Sequence, residues 1–266
     1  MLSNFNNLPD ENWNNLCANH LRDWHGIWTR YSPQGEVIES FKSLRRFQSN
    51  PEQTEIAQNN RYMYTDAKTD EFSWQYNQQS NSLPDGLFHP QSPLMRGFFF
   101  ECGAATWTTT KLETSSYFVV ELFFKYQDLR NSVALVYEES GILKRTASIR
   151  EDSTNFPSNY WSSEINLTTE RNLSGNWQGT SVTMTPDLKI SPAVPSQLHW
   201  PIEGNTTFFY PDGISLSCPM QVSVGTPFTI VGNWLVTPSE LQQVSVKYDE
   251  SGAFSSVTRD LFNLEA

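Results

Sequence analysis

Cys102 is the residue whose chemistry is simplest to state. It follows Glu101 on the Phe-rich run Phe98–Phe100, and a thiolate there would be a nucleophile. Such a thiol needs a base or a positive field beside it. No histidine is near it in sequence, so an inert, buried thiol is the favoured reading. Cys17, Cys102 and Cys218 form no CxxC pair, and His20, His25, His89 and His199 show no HxH or HExxH spacing. No metal site and no cofactor is therefore expected, and no Gly-x-Ser-x-Gly, P-loop or dinucleotide fingerprint occurs. What remains is binding chemistry. Phe, Trp and Tyr make up 14% of the chain, with nine Trp. Such rings either fill a core or line a pocket for flat apolar ligands. In the run 37–47, the parity holding Val37, Phe41 and Phe47 also carries Glu39, Ser43 and Arg45. Arg45 could then anchor a ligand carboxylate or propionate in an apolar cavity; alternatively the stretch is a rim and its charges are solvated. The candidate ligand-binding residues are Arg30, Phe41, Arg45, Tyr62, Trp74 and Trp107, and no catalytic residue is assigned.

The elements that must position these groups are strands. Only the start of the chain is helical: Pro9 and Asp10 open it, and Trp13, Leu16, Cys17, His20 and Leu21 make one apolar stripe. After residue 22 the period becomes two. Phe72, Trp74 and Tyr76 alternate with Ser73, Gln75 and Asn77, and similar runs follow at 37–47, 61–64, 94–101, 104–111, 117–126, 132–138 and 142–151. Tight turns separate them, which predicts an antiparallel barrel or sandwich. If Trp28 points inward, Trp24, Gly26 and Arg30 share its face, while His25, Ile27 and Thr29 face out.

The chain also repeats itself. Val133, Leu135, Tyr137, Ser140 and Gly141 recur as Val244, Val246, Tyr248, Ser251 and Gly252, at an offset of 111. Phe98-Phe99-Phe100 recurs near Phe208-Phe209-Tyr210, and Trp24-His25-Gly26-Ile27-Trp28 is echoed by Leu173-Ser174-Gly175-Asn176-Trp177. A repeat this long implies duplicated domains. The expected division is residues 1–152, a helix and a first barrel; 153–172, a connection; and 173–266, a smaller second barrel filled with its own side chains.

Gly-x-Trp at the head of each β-rich half, the first behind a short helix, resembles the lipocalin and wider calycin proteins. That resemblance implies tandem lipocalin-like barrels in which Trp28 and Trp177, with Gly26 and Gly175, close the barrel floors. It also implies a basic residue of the last strand packed on each Trp, for which Arg150 and Arg259 are the candidates. The stretches 24–33, 58–64, 121–125 and 211–219 are similar to a cyanobacterial and plastid calycin-like family of unknown function.

With 18 Lys and Arg against 29 Asp and Glu the formal charge is −11, which disfavours nucleic acid as a partner. No run approaches 18 apolar residues, so no integral membrane segment is expected. Neither a basic nor an apolar leader opens the chain, and an odd, scattered set of cysteines suits a reducing, cytoplasmic setting. The first functional reading is a protein that binds a small apolar or amphipathic molecule (a pigment, tetrapyrrole or lipid) in the first barrel. A chromophore lyase or other enzyme acting on such a molecule is the second, and an interaction or assembly protein the third.

Overall fold

Residues Leu8–His20 form helix α1, with Pro9 in its first turn and Asp10 and Glu11 at its positive end. The structure is a computed structural model describing residues 7–265; the opening residues 1–6, read above for a leader, lie outside the described residues. The stripe Trp13, Leu16, Cys17 and His20 is buried as the spacing predicts. The set flanking this stripe was not expected to matter, yet Asn12, Asn15 and Asn19 bond backbone groups of residues 97–101. Asn12 donates to the Gly97 carbonyl and accepts from the Phe99 N–H, Asn15 donates to the Phe99 carbonyl, and Asn19 to that of Glu101. The helix thus occupies backbone positions that a neighbouring strand would otherwise pair.

From there the chain is almost entirely β. The first unit comprises β1 (Asp23–Tyr31), β2 (Val37–Ser49), β3 (Glu55–Met63), β4 (Thr69–Asn77), the short α2 (Gln78–Asn81), β5 (Ser82–Leu83), β6 (Gly86–Phe88), β7 (Met95–Phe99), β8 (Ala105–Thr109), β9 (Phe118–Tyr126), β10 (Leu129–Tyr137) and β11 (Leu143–Asp152). They form one antiparallel sheet in the order β4-β3-β2-β1-β11-β10-β9-β8-β7-β6-β5. Its two edges, β4 and β5, are joined in sequence by the four residues of α2, so the sheet curls into a nearly closed barrel. Helix α1 packs across β5, β6 and β7.

The second unit has β12 (Trp177–Met184), β13 (Val194–Gln197), β14 (Thr206–Phe209), β15 (Ile214–Cys218), β16 (Phe228–Thr237), β17 (Glu240–Tyr248) and β18 (Phe254–Leu264). They make a seven-stranded sheet in the order β13-β12-β18-β17-β16-β15-β14. The repeated residues occupy equivalent places: Val133, Leu135 and Tyr137 on β10, and Val244, Val246 and Tyr248 on β17, all belong to one buried cluster. That cluster lies between the two sheets, where β9 packs on β16 and β17. The expectation that the second unit fills itself is corrected: Leu122, Phe124 and Val133 of the first sheet press on Gly232 of β16. A Cβ there would come within 3.0 Å of Phe124 and Val133, so a side chain would hold the sheets apart.

Candidate functional site

The inner wall of the barrel follows from strand parity. On β1, Trp24, Gly26, Trp28 and Arg30 face inward, and on β2, Phe41, Ser43, Arg45 and Phe47 do so. On β9 the inward residues are Val119, Glu121 and Phe123; Phe118, Val120, Leu122 and Phe124 face the second sheet. Two adjoining chambers result. The deeper, of about 180 Å3, reaches His20 and Leu16 of α1 and includes Arg45, Gln58, Asn60, Glu121 and Arg130. The outer, of about 210 Å3, runs towards Arg30, Met95, Val136 and Arg145. Trp28, His89, Trp107 and Glu121 line both.

At the deep end the barrel holds a buried ionic network. Arg45 donates Nε and Nη2 to the two oxygens of Glu151, at 2.5 and 2.6 Å. Arg130 donates Nε to Glu151 at 2.8 Å, and its Nη1 lies 3.3 Å from Nδ1 of His20. Gly26 makes room for this carboxylate, since a Cβ at that position would stand 2.6 Å from Cγ of Glu151. Burial works against the charge on Glu151, but the two guanidinium groups outweigh it and hold its pKa below the ordinary carboxylate value. Burial likewise opposes the charge on Arg45, and Glu151 with Glu121 reverses the effect and raises its pKa. Arg130 is lowered to about 10 by burial, partly offset by Glu151. Its guanidinium stacks 4.3 Å from the Trp24 ring centre. His20, buried and facing Arg130, Lys125 and Arg45, is pushed well below the usual histidine range.

Glu121 ties this network to the chamber. It accepts from Ser132 Oγ at 2.7 Å and lies 3.5 Å from Arg45 Nη1. The far wall is aromatic. His89 sits among Trp74, Tyr76 and Trp107, with ring centres 5.4, 6.0 and 4.8 Å away. Its Nδ1 accepts from the Gln91 N–H, and burial lowers its pKa to about 4, leaving the ring neutral. A chain of side-chain bonds runs from Trp74 through Tyr76, Gln58 and Asn60 towards Tyr62. At the outer end Arg30 pairs with Glu39 and covers the rings of Phe41 and Trp28.

The structure brings Arg45, Tyr62, Trp74 and Trp107 onto the deeper chamber and Arg30 with Trp107 onto the outer one. Phe41 stands behind them, stacked on Trp28 at 5.9 Å. Three barrel-floor assignments, Trp28, Arg150 and Arg259, are corrected. Trp28 is a half-buried wall residue. The fully buried Trp24, whose indole N–H donates to the His20 carbonyl, holds the deep end. Arg150 points outward, one position off the inward parity of Glu151. It donates to Ser162, to the Glu164 carbonyl and to Asp212, clamping the connection against the β14–β15 turn. In the second sheet Trp177 packs with Leu241 and Phe262, and Gly175 lies in the preceding loop with φ +118°. Arg259 pairs in register with Val182 and Val244, five positions along β18 from Leu264, the partner of Trp177, and has no cation–π contact with Trp177. Glu101 and Cys102 are exposed in a turn, not on the barrel wall, so a Cys102 nucleophile acting beside Arg30 or Arg45 is excluded.

Sequence reasoning missed Glu121, Arg130, Glu151 and His89. Glu121 had a readable signal: it is the single charged residue within the apolar run Phe118–Phe124. Among the described residues no group of three His, Cys, Asp or Glu could hold a metal ion, and no helix is long and apolar enough to cross a membrane.

Comparison with solved structures finds a protein of unknown function from the DUF3598 family of Nostoc punctiforme PCC 73102. It superposes with a TM-score of 0.75 at 17% identity, covering 96% of this chain and 99% of that one. A kievitone hydratase from Nectria haematococca aligns at a TM-score of 0.20 and 8% identity, over 92% of this chain and 89% of that one, which carries no argument. No curated protein matches the chain. Residues 202–260 match the C-terminal domain of biogenesis factor required for ATP synthase 1. Residues 9–156, more than half the chain and the whole of the barrel described above, match the N-terminal domain of unknown function DUF3598, and the chain therefore belongs to the DUF3598 family.

Proposed function

We propose that the barrel of the first unit, residues 1–152, is a binding compartment for one small, flat, amphipathic molecule. On this reading the barrel is lipocalin-like in use as well as in outline, and residues 173–266 form a companion domain that braces it. The observation that carries the reading is the unequal interior: aromatic walls around a chamber whose deep end holds ionised side chains with bonding capacity to spare. Arg130 Nη2 and Trp28 Nε1 are buried polar atoms with no partner among the described residues, and groups of that kind call for an acceptor. The chambers, about 180 and 210 Å3, fall below the ~300 Å3 at which drug-sized pockets begin. That favours a compact ring system over the tetrapyrrole or long-chain lipid entertained from sequence.

The test is an absorption spectrum and native mass of the full chain purified gently from its own cells. A discrete added mass that disappears in Trp107→Leu is the expected result. A bare chain in every preparation, together with no quenching of tryptophan fluorescence by small aromatic probes, would refute it. A second reading, an interaction or assembly protein, draws on the match of 202–260 to a biogenesis factor's domain. Under it, a stable partner would co-purify through the second sheet and survive Trp107→Leu.

A further inference from the structure

We propose that the chamber recognises a neutral cis-amide edge, the adjacent C=O and N–H of a planar lactam heterocycle, with Arg45 Nη1 donating to the ring carbonyl and Glu121 accepting from the ring N–H. This rests on the binding reading above and names its ligand class.

A carboxylate anchor, the simplest use of an arginine in a barrel, does not suit Arg45. One of the two edges that could grip a ligand carboxylate, Nε and Nη2, is already held by Glu151 at 2.5 and 2.6 Å. Only Nη1 is left. Its acceptor is Glu121 Oε1 at 3.5 Å, the outer limit of a hydrogen bond. Glu121 is similarly half-used: Oε1 takes the Ser132 hydroxyl, and Oε2 accepts from no donor among the described residues. A donor and an acceptor, each with capacity left, therefore stand side by side on residues that line the deeper chamber. That pattern is complementary to an N–H next to a C=O.

The charges point the same way. Arg45 and Arg130 are balanced by Glu121 and Glu151, and His20 and His89 are held neutral, so the chamber has no net formal charge to attract an ion. A ligand carboxylate would face Glu121, and a ligand ammonium would face two guanidinium groups; each pays desolvation without a free counter-charge. A neutral heterocycle pays neither. Its faces would meet Trp28 and Trp107, which line both chambers, and the orphan indole N–H of Trp28 offers a donor to a further ring acceptor.

The test titrates the full chain with three probes on one fused two-ring frame: 2-quinolone, its N-methyl derivative, and quinoline-2-carboxylate. Tryptophan fluorescence and calorimetry give the affinities. The lactam should bind roughly ten- to a hundredfold more tightly than the N-methyl compound, the value of one charge-assisted hydrogen bond, and more tightly than the carboxylate. In Glu121→Gln that preference over the N-methyl compound should fall severalfold or more, and the carboxylate should gain affinity, because the chamber becomes net positive. Equal affinities, or the carboxylate binding best to the wild-type chain, would overturn the lactam reading and leave the binding compartment standing. If none of the three binds, the lactam reading falls, and the native mass decides whether the compartment falls with it. The probe series on the wild-type chain is decisive even if Glu121→Gln does not fold.

Discussion

Strands β9 and β10 divide the molecule into two interiors that share a wall. Towards the second sheet they present Phe118, Val120, Leu122, Phe124, Val133, Leu135 and Tyr137, all buried in the large intersheet cluster. Towards the barrel they present Glu121, Phe123, Arg130 and Ser132 beside a cavity. The usual expectation for a barrel, apolar inside and polar outside, is reversed along these strands. The dry packing that holds the fold lies between the sheets, and the polar, cavity-bearing side is released from that duty. A protein can keep unpaired donors and buried charges in one interior when another interior supplies the apolar burial.

The largest effect should come from breaking the barrel network. Glu151→Ala leaves two buried guanidinium groups without their shared carboxylate, and the cost should be about 5 kcal/mol, the upper end for a broken buried pair. Urea denaturation measures it. The triple change Arg45→Met, Glu151→Leu, Arg130→Met sharpens the comparison. It should recover most of that stability while abolishing ligand binding, because apolar groups of similar volume often replace buried ion pairs without loss. A triple variant as unstable as Glu151→Ala would show that the network holds the fold, and the division between the two interiors would fail.

How far the sequence could be read follows the same division. Where strands serve the dry core the apolar signal is dense, near-continuous in Phe118–Phe124 and recurring at Val133 and Val244, and the strands were legible there. Where polar residues line the barrel the period is hidden, unlike β4, whose Trp74 and Tyr76 face the chamber and make its alternation plain. Gln58 and Asn60 of β3 point inward, so only its end, near 61–64, read as a strand. The inward parity of Arg45 was legible from Phe41 and Phe47. Its partner Glu151 was not, because that contact spans 106 positions of sequence and depends on the pairing of β1 with both β2 and β11. Arg150 was misread for the converse reason: next to Glu151, it turns to the other face of the strand.

In the dry interior the comparison breaks through packing alone. Phe124→Ala should cost about 3–4 kcal/mol, the cavity left by a buried ring, with ligand binding unchanged once the chain is folded. Gly232→Val, which would push a side chain into Phe124 and Val133, should cost a further step less, about 1–3 kcal/mol by overpacking. Both are read from denaturant midpoints. Equal stability in Gly232→Val would mean that the sheets are not in close contact at β16.

The smallest effect separates the interiors by pH. The barrel side carries His89, with its pKa lowered to about 4 by burial, and His20, lower than the ordinary value for the same first cause. Each favours the neutral ring in the folded chain. Above about pH 6.5 their contribution is complete. As pH falls from there towards 4 the unfolded chain takes up protons that the folded chain refuses, and stability drops. For His89, the first unit of that descent costs at most about 1.4 kcal/mol. The intersheet core carries Tyr210 and Tyr248, whose pKa values are raised by burial. Their contribution is complete below the unfolded value near 10 and is lost as pH rises above it, when the unfolded phenols ionise. Melting temperature against pH should therefore fall at both ends for different reasons. His89→Asn should flatten the limb between pH 6.5 and 4 and leave the alkaline limb unchanged, and Tyr248→Phe should do the reverse. An acid limb of unchanged slope in His89→Asn would place that ring outside the dry wall of aromatic side chains that the chamber requires. It would then remove one of the four side chains shared by both chambers and leave Trp28 and Trp107 alone as the surfaces on which a flat ligand could stack.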